Sequence, residues 1–151
     1  MVETILSGEL PENWWQVWEH MLVPELIIDA VPAVGLPRYL RCLTIDTQSL
    51  YDVILPKDLQ QLTFGPWFNQ NLDNVALPSG LQQLTFGVHF NQSLDNVTLP
   101  NSLQQLTFDI EFNQSLDNAT LPNSLQQLTF GYSFDQSLEN VTPGSFINIS
   151  W

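Results

Sequence analysis

The apolar residues between Leu55 and Thr142 recur in one pattern of 22 positions. Each unit contains two groups of the form LxxLxL, such as those at 81–86 and 94–99. The last three positions of each group alternate apolar and polar, which is the period of a β-strand. Proline or glycine interrupts every unit, so no window is long enough for a helix. The pattern predicts two short parallel strands in each 22-residue coil, with little helix in the repeats.

Four consecutive units have the same residue at most positions and contain no insertion. A fixed period of this length is typical of solenoids, in which equivalent residues of successive coils stack about 4.8 Å apart. A decayed copy precedes the four units at 36–54, and the residues PGSFINISW at 143–151 align with PNSLQQLTF. The four full units are LPKDLQQLTFGPWFNQNLDNVA, LPSGLQQLTFGVHFNQSLDNVT, LPNSLQQLTFDIEFNQSLDNAT and LPNSLQQLTFGYSFDQSLENVT, which begin at Leu55, Leu77, Leu99 and Leu121.

The unit LPxxLxxLTFGxxFNQxL closely resembles the FNIP repeat, a subclass of the leucine-rich repeats. The stretch LPNSLQQLTFGYSF is also similar to the BspA-type leucine-rich repeat. The resemblance covers 55–142 at full strength and 36–151 loosely. It implies a curved parallel-β solenoid that binds other proteins and has no catalysis of its own. We therefore expect a right-handed leucine-rich-repeat solenoid.

The chain divides into three parts on this interpretation. Residues 1–35 form an amino-terminal helical cap, because Trp14, Trp18 and Met21 would share one face of a helix over Pro11–Leu22. Such a helix would cover the open end of the solenoid, or would dock a partner. The repeat array follows over 36–142, with 36–54 degenerate and four full repeats over 55–142. A terminal half coil occupies 143–151.

The charge balance excludes several partners. The 151 residues include 3 basic and 16 acidic side chains, for a net charge of -13. Nothing in such a chain neutralises phosphate, so we expect neither nucleic acid nor a membrane as a partner. The one cysteine, Cys42, excludes an internal disulfide framework and a thiolate metal cage.

The first residues also bear on location. They read MVETILSGELPENWW and place Glu3, Glu9 and Glu12 where a signal peptide needs a basic flank and an apolar run. No apolar run is long enough to span a bilayer. We expect an intracellular, cytoplasmic protein.

The two positions that precede the second phenylalanine of each repeat differ in all four copies. Variable chemistry on a rigid frame is where a repeat protein places its recognition surface. The alternative is that these are unconstrained corner residues that drifted after duplication. The candidate partner-binding residues are Pro66, Trp67, Val88, His89, Ile110, Glu111, Tyr132 and Ser133.

A second column of the repeat is acidic. A row of carboxylates beside asparagines could gather calcium through oxygen ligands, although the spacing matches no known calcium loop. A solvated face is the simpler interpretation, so we predict no metal or other cofactor and keep this column as a weak metal candidate. Its residues are Asp73, Asp95, Asp117 and Glu139.

Three further columns, one of asparagine and two of phenylalanine, have structural interpretations. Asn69, Asn91 and Asn113, followed by Asp135, are expected to form a ladder that bonds free backbone groups at the turns. The phenylalanines at 64, 86, 108 and 130, and those at 68, 90, 112 and 134, are expected to form two aromatic columns. A row of outward threonines resembles an ice-binding face, but glutamine flanks it.

Enzyme chemistry has little support in the sequence. It contains neither a phosphate loop nor a nucleophile elbow, and its acids repeat in identical environments, whereas an acid and a base need different ones. We predict a non-catalytic module for protein–protein interaction. The alternative is a structural or surface-active repeat protein that is calcium-dependent, ice-adsorbing or assembled end to end.

Overall fold

The computed structural model describes residues 4–6, 25–28, 36–47, 50, 53–141 and 148–151. These residues form one eight-stranded sheet in which each strand pairs in parallel with the next strand of the sequence. The chain returns to the same end of the sheet after every strand, and the full repeats do so every 22 residues, which is the arrangement of a β-solenoid. The strands are β1 (Thr4–Leu6), β2 (Glu25–Ile28), β3 (Cys42–Ile45), β4 (Gln61–Phe64), β5 (Gln83–Thr85), β6 (Gln105–Thr107), β7 (Gln127–Thr129) and β8 (Asn148–Ser150).

The register confirms that equivalent residues stack. From β4 to β7 every glutamine, leucine and threonine of the strand pairs with the same residue of the next coil, as in Leu84 with Leu106. The half coil follows the predicted alignment, because Asn148 pairs with Gln127 and Ser150 with Thr129. The decayed copy also keeps the register, since β3 pairs with β4.

The second strand predicted for each coil is not confirmed. Over 53–141 each coil contains one strand, and the segment 94–99 forms none. Val97 donates its backbone N–H to the carbonyl of Leu94 at 3.0 Å, so this stretch closes a turn instead of extending a ladder. Val97 and Leu99 are nevertheless buried. The alternation of apolar and polar residues therefore indicated which side chains are buried, and side chains in a turn can be buried as well as those in a strand.

The amino-terminal segment contributes two strands that its sequence did not predict. β2 pairs with β3, and β1 pairs with β2 with Thr4 opposite Leu26. The predicted helix over Pro11–Leu22 lies outside the described residues. Among the residues that are described, none belongs to a helix long and apolar enough to cross a membrane.

The core contains the two predicted phenylalanine columns, which the ring geometry confirms. Within a coil the two rings stack face to face, with centroids 3.9 Å apart for Phe86 and Phe90. Between coils the spacing is 5.4 Å from Phe86 to Phe108 and 6.1 Å from Phe90 to Phe112. The columns therefore form one double stack of buried rings, flanked by the strand leucines. Trp151 extends it, with its ring centroid 5.5 Å from that of Phe130.

The corner after the strand is glycine in three of the four full repeats and aspartate in the third. Gly87 and Gly131 lie outside the left-handed region, so their backbone angles do not require glycine. A Cβ on Gly87 would fall 2.6 Å from the carbonyl carbon of Gly65, and one on Gly131 would fall 2.7 Å from the amide nitrogen of Ile110. Close approach of successive backbones therefore favours glycine here.

Candidate functional site

Each pair of variable positions forms a turn directly after the strand and its corner residue. The turns occupy 66–67, 88–89, 110–111 and 132–133. Each turn is bonded to the preceding one, because the backbone N–H groups of His89, Glu111 and Ser133 donate to the carbonyls one coil earlier. All three bonds measure 3.0 Å. The four turns therefore form a rigid backbone ladder along one side of the solenoid.

The side chains on this ladder include the large exposed apolar groups of the full repeats. Trp67 is 63% exposed, Tyr132 is 96% exposed and Ile110 is 47% exposed. Val88 and His89 are half-buried, whereas Pro66, Glu111 and Ser133 are exposed. The structure thus brings all eight candidate residues together in one stripe. We call this stripe the corner ridge; it comprises Pro66, Trp67, Val88, His89, Ile110, Glu111, Tyr132 and Ser133.

Three side chains of the corner ridge contact one another across coils. The Trp67 indole stacks on the His89 imidazole with ring centroids 4.6 Å apart and planes 26° apart. His89 Nδ1 lies 2.8 Å from Glu111 Oε1. The variable columns of the repeat predict these positions but not the contacts between them. The signal that could have revealed the contacts is the spacing of 22 residues between successive partners.

The asparagine ladder lies beside the corner ridge and has the structural role that was predicted. The side-chain oxygen of Asn69 accepts bonds from the backbone N–H of Asn91 at 2.9 Å and from Gln92 Nε2 at 3.0 Å. Asn91 and Asn113 repeat this arrangement with the following coils. The glutamine that follows each asparagine is a partner that the repeat pattern did not predict. Each coil is therefore tied to the next through side chains as well as through the sheet.

The acidic column does not form a metal site in the described part of the chain. Its four side chains are exposed on separate turns. The backbone N–H of Asp95 donates to Ser93 Oγ at 3.0 Å, and that of Asp117 donates to Ser115 Oγ at 3.1 Å, which is a common arrangement at turns. No group of three or more histidine, cysteine or acidic residues among the described ones could hold a metal ion.

Over β4 to β8 the outward face of the sheet is neutral and polar. From β4 to β7 its positions are rows of glutamine and threonine, and β8 continues them with Asn148 and Ser150. The threonines are half-buried, because the rows are closely packed. This face has hydrogen-bonding groups but no charge and no exposed aromatic ring.

Comparison with known proteins agrees with this architecture. In a solved structure described as CroV588, "a novel circular LRR protein", the similar region has 30% sequence identity and a TM-score of 0.61. The match covers 83% of this chain and 23% of that one, so this chain matches about a quarter of the length of that protein. No curated protein matches.

The repeat family is identified by a family model. The FNIP Repeat model matches residues 47–89, 68–110 and 112–150. These matches span more than half of the chain and cover the four full repeats except for residue 111. The fold is that of a leucine-rich-repeat-like solenoid, and the chain belongs to the FNIP repeat family.

Proposed function

We propose that this protein is a non-catalytic protein–protein interaction module that recognises its partner through the corner ridge. The supporting observation is the set of exposed aromatic side chains on a backbone that is already ordered. Tryptophan and tyrosine are enriched among the residues that dominate binding energy at protein interfaces. Because the ridge backbone is bonded from coil to coil, binding would cost little ordering entropy.

The other surfaces support recognition less well. The acidic column offers exposed carboxylates without an apolar anchor, and the sheet face over β4 to β8 offers neutral polar groups alone. The corner ridge combines rings, a carboxylate and aliphatic groups in one stripe. Such mixed chemistry discriminates between partners better than uniform rows do.

The order of residues along the ridge disfavours hydrolytic chemistry. A triad needs a histidine between a nucleophile and an acid, each within hydrogen-bond reach. Here Glu111 lies on the coil between those of His89 and Ser133, and two coil intervals separate the histidine from the serine by about 10 Å. The ridge therefore supports binding and not acyl transfer.

The test is capture of partners from a lysate with wild-type protein and with a variant that changes Trp67, His89, Glu111 and Tyr132 to alanine. Far-ultraviolet circular dichroism and the melting temperature establish that the variant is folded. We expect partners of the wild type to be lost from the variant and retained by Asp117→Asn, whose carboxylate lies in the acidic column. Retention of every partner by the ridge variant at unchanged affinity would contradict the proposal.

A second candidate function is end-to-end assembly. β8 is at one end of the sheet order, and among the described residues no strand pairs with its outer edge. Trp151 caps the phenylalanine stack while remaining 74% exposed. Unpaired strand edges are templates for pairing with another chain. Sedimentation velocity of wild type and Trp151→Ala over a hundredfold concentration range tests this; a monomer throughout rejects it.

A further inference from the structure

We infer that the corner ridge recognises an extended protein segment that carries arginine side chains. This inference rests on the proposed function and specifies the chemistry of the partner. It follows from two independent features of the full repeats, the distribution of charge along the chain and the arrangement of rings around Glu111.

The distribution of charge favours a basic partner over an acidic one. Lys57 is the last basic residue of the sequence, and residues 58–151 contain acids but neither lysine nor arginine. Five of these acids, at 109, 111, 117, 135 and 139, belong to the two coils that carry Glu111 and Tyr132. An acidic segment laid on this ridge would meet repulsion along its length, whereas a basic segment would meet attraction.

The side chains of the ridge suit guanidinium groups in particular. Glu111 uses Oε1 toward His89 and is 48% exposed, so its carboxylate offers further acceptor positions to a cation. Trp67 lies two coils before this carboxylate, with His89 between them, and Tyr132 lies one coil after it; the indole and the phenol are both exposed. Arginine stacks its planar guanidinium on aromatic faces and donates paired hydrogen bonds to carboxylates, whereas the lysine ammonium acts as a point charge and cannot donate in this paired geometry.

The dimensions of the ridge indicate the length of the segment. Three coil intervals separate Trp67 from Tyr132, which corresponds to about 14 Å at the spacing of paired strands. An extended chain advances about 3.3 Å per residue, so about five residues would cover the ridge. A short extended peptide with alternate arginines would place side chains on both rings and on the carboxylate.

The experiment measures fluorescence anisotropy of a labelled hexapeptide of alternating glycine and arginine during titration with the full chain. We expect saturable binding, with no binding of the matching glycine–glutamate peptide and weaker binding of the glycine–lysine peptide. Trp67→Ala and Tyr132→Ala should each weaken binding about two- to fivefold, and Tyr132→Phe should not, because the ring is retained. Glu111→Gln should weaken binding more than the control Asp117→Asn.

Two results would overturn the inference. One is the absence of saturable binding. The other is equal weakening by Glu111→Gln and Asp117→Asn with no effect at Trp67 or Tyr132, which would show attraction to net charge alone. If either occurs while the ridge variant still loses its partners in the capture assay, the proposed function stands and only the basic partner is rejected. If the ridge variant keeps all its partners, the proposed function itself fails.

Discussion

The side-chain oxygen of Asn91 accepts a hydrogen bond from the backbone N–H of Asn113, 22 residues further along the chain, at 2.9 Å. The same oxygen accepts a bond from Gln114 Nε2 at 3.0 Å. One carboxamide thus satisfies two donors of the following coil. Because the asparagine column follows the second phenylalanine, it holds the backbone directly after the corner ridge in place.

Replacing Asn91 with alanine should destabilise the fold. Two part-buried donors would lose their acceptor, and the free energy of unfolding should fall by about 1–3 kcal/mol. Asn96→Ala is the matched control, because Asn96 is exposed on the acidic turn and makes only a 3.5 Å contact with Asp73. Urea unfolding followed by circular dichroism measures both. Equal stability of the two variants would contradict the structural role of the ladder.

The double stack of rings should be the most sensitive part of the core. Phe90 is fully buried and stacks on Phe86 in its own coil. Its ring also lies parallel to those of Phe68 and Phe112 in the adjacent coils, with centroids 6.1 Å apart in both cases. Phe90→Ala should reduce the free energy of unfolding by about 3–5 kcal/mol, because the cavity has rigid walls. Ile110→Ala on the exposed ridge should change it by about 0.5 kcal/mol at most. Denaturant unfolding distinguishes the two values.

The sequence predicted the stacking well because stacking depends on identical residues. Leu84 faces Leu106 and Phe86 faces Phe108 as the period of 22 requires. The strand predicted for 94–99 was wrong, because alternation of apolar and polar residues indicates which side chains are buried but not which partners the backbone hydrogen bonds have. The repeat pattern also gave no sign of β1 and β2, whose residues do not repeat the motif.

The candidate site was predicted as a set of positions but not as a set of contacts. The variable columns identified the whole ridge, because invariance of the neighbouring columns marks what the fold needs. The Trp67–His89–Glu111 contacts join unlike residues, so the spacing of 22 places the partners in adjacent coils but does not show which side chains touch. Nor could the spacing explain the corner glycines, because the close approach of two backbones becomes visible only in three dimensions.

Gly87→Ala tests the close approach at the corner. The new methyl group would meet the backbone of Gly65, which cannot move without disturbing the sheet, so we expect a loss of about 1–3 kcal/mol. Asp109→Ala is the control in the same column, because Asp109 already carries a Cβ and would lose only the 2.8 Å bond from the Ile110 N–H. The melting temperatures of the two variants, each compared with that of the wild type, measure this difference. A Gly87 variant as stable as the Asp109 variant would show that the corner can relax.

Calcium should leave the stability unchanged. The acidic column presents its carboxylates singly on successive turns, and a calcium site needs six or more converging oxygens. The melting temperature in millimolar calcium should equal that in a chelator. A rise that Asp95→Asn abolishes would restore the calcium-dependent alternative.

Deletion of a whole coil should be tolerated. Removal of residues 77–98 joins the first full repeat to the third with every strand in register, so the shorter chain should fold with a modestly lower melting temperature. Removal of 77–87 alone deletes the same strand but leaves half a coil without its stacking partners, and that chain should lose cooperative unfolding. Circular dichroism melts of both deletions provide the comparison.

The insertion-free register of the four repeats also bears on how such a protein can diversify. Unequal recombination between near-identical gene segments would add or remove complete coils. Every such event would yield a solenoid in which the contacts between coils are intact. Each added coil would contribute two further positions to the corner ridge, and these positions could mutate without disturbing the core. The recognition surface can therefore change in length and in chemistry while the scaffold stays the same.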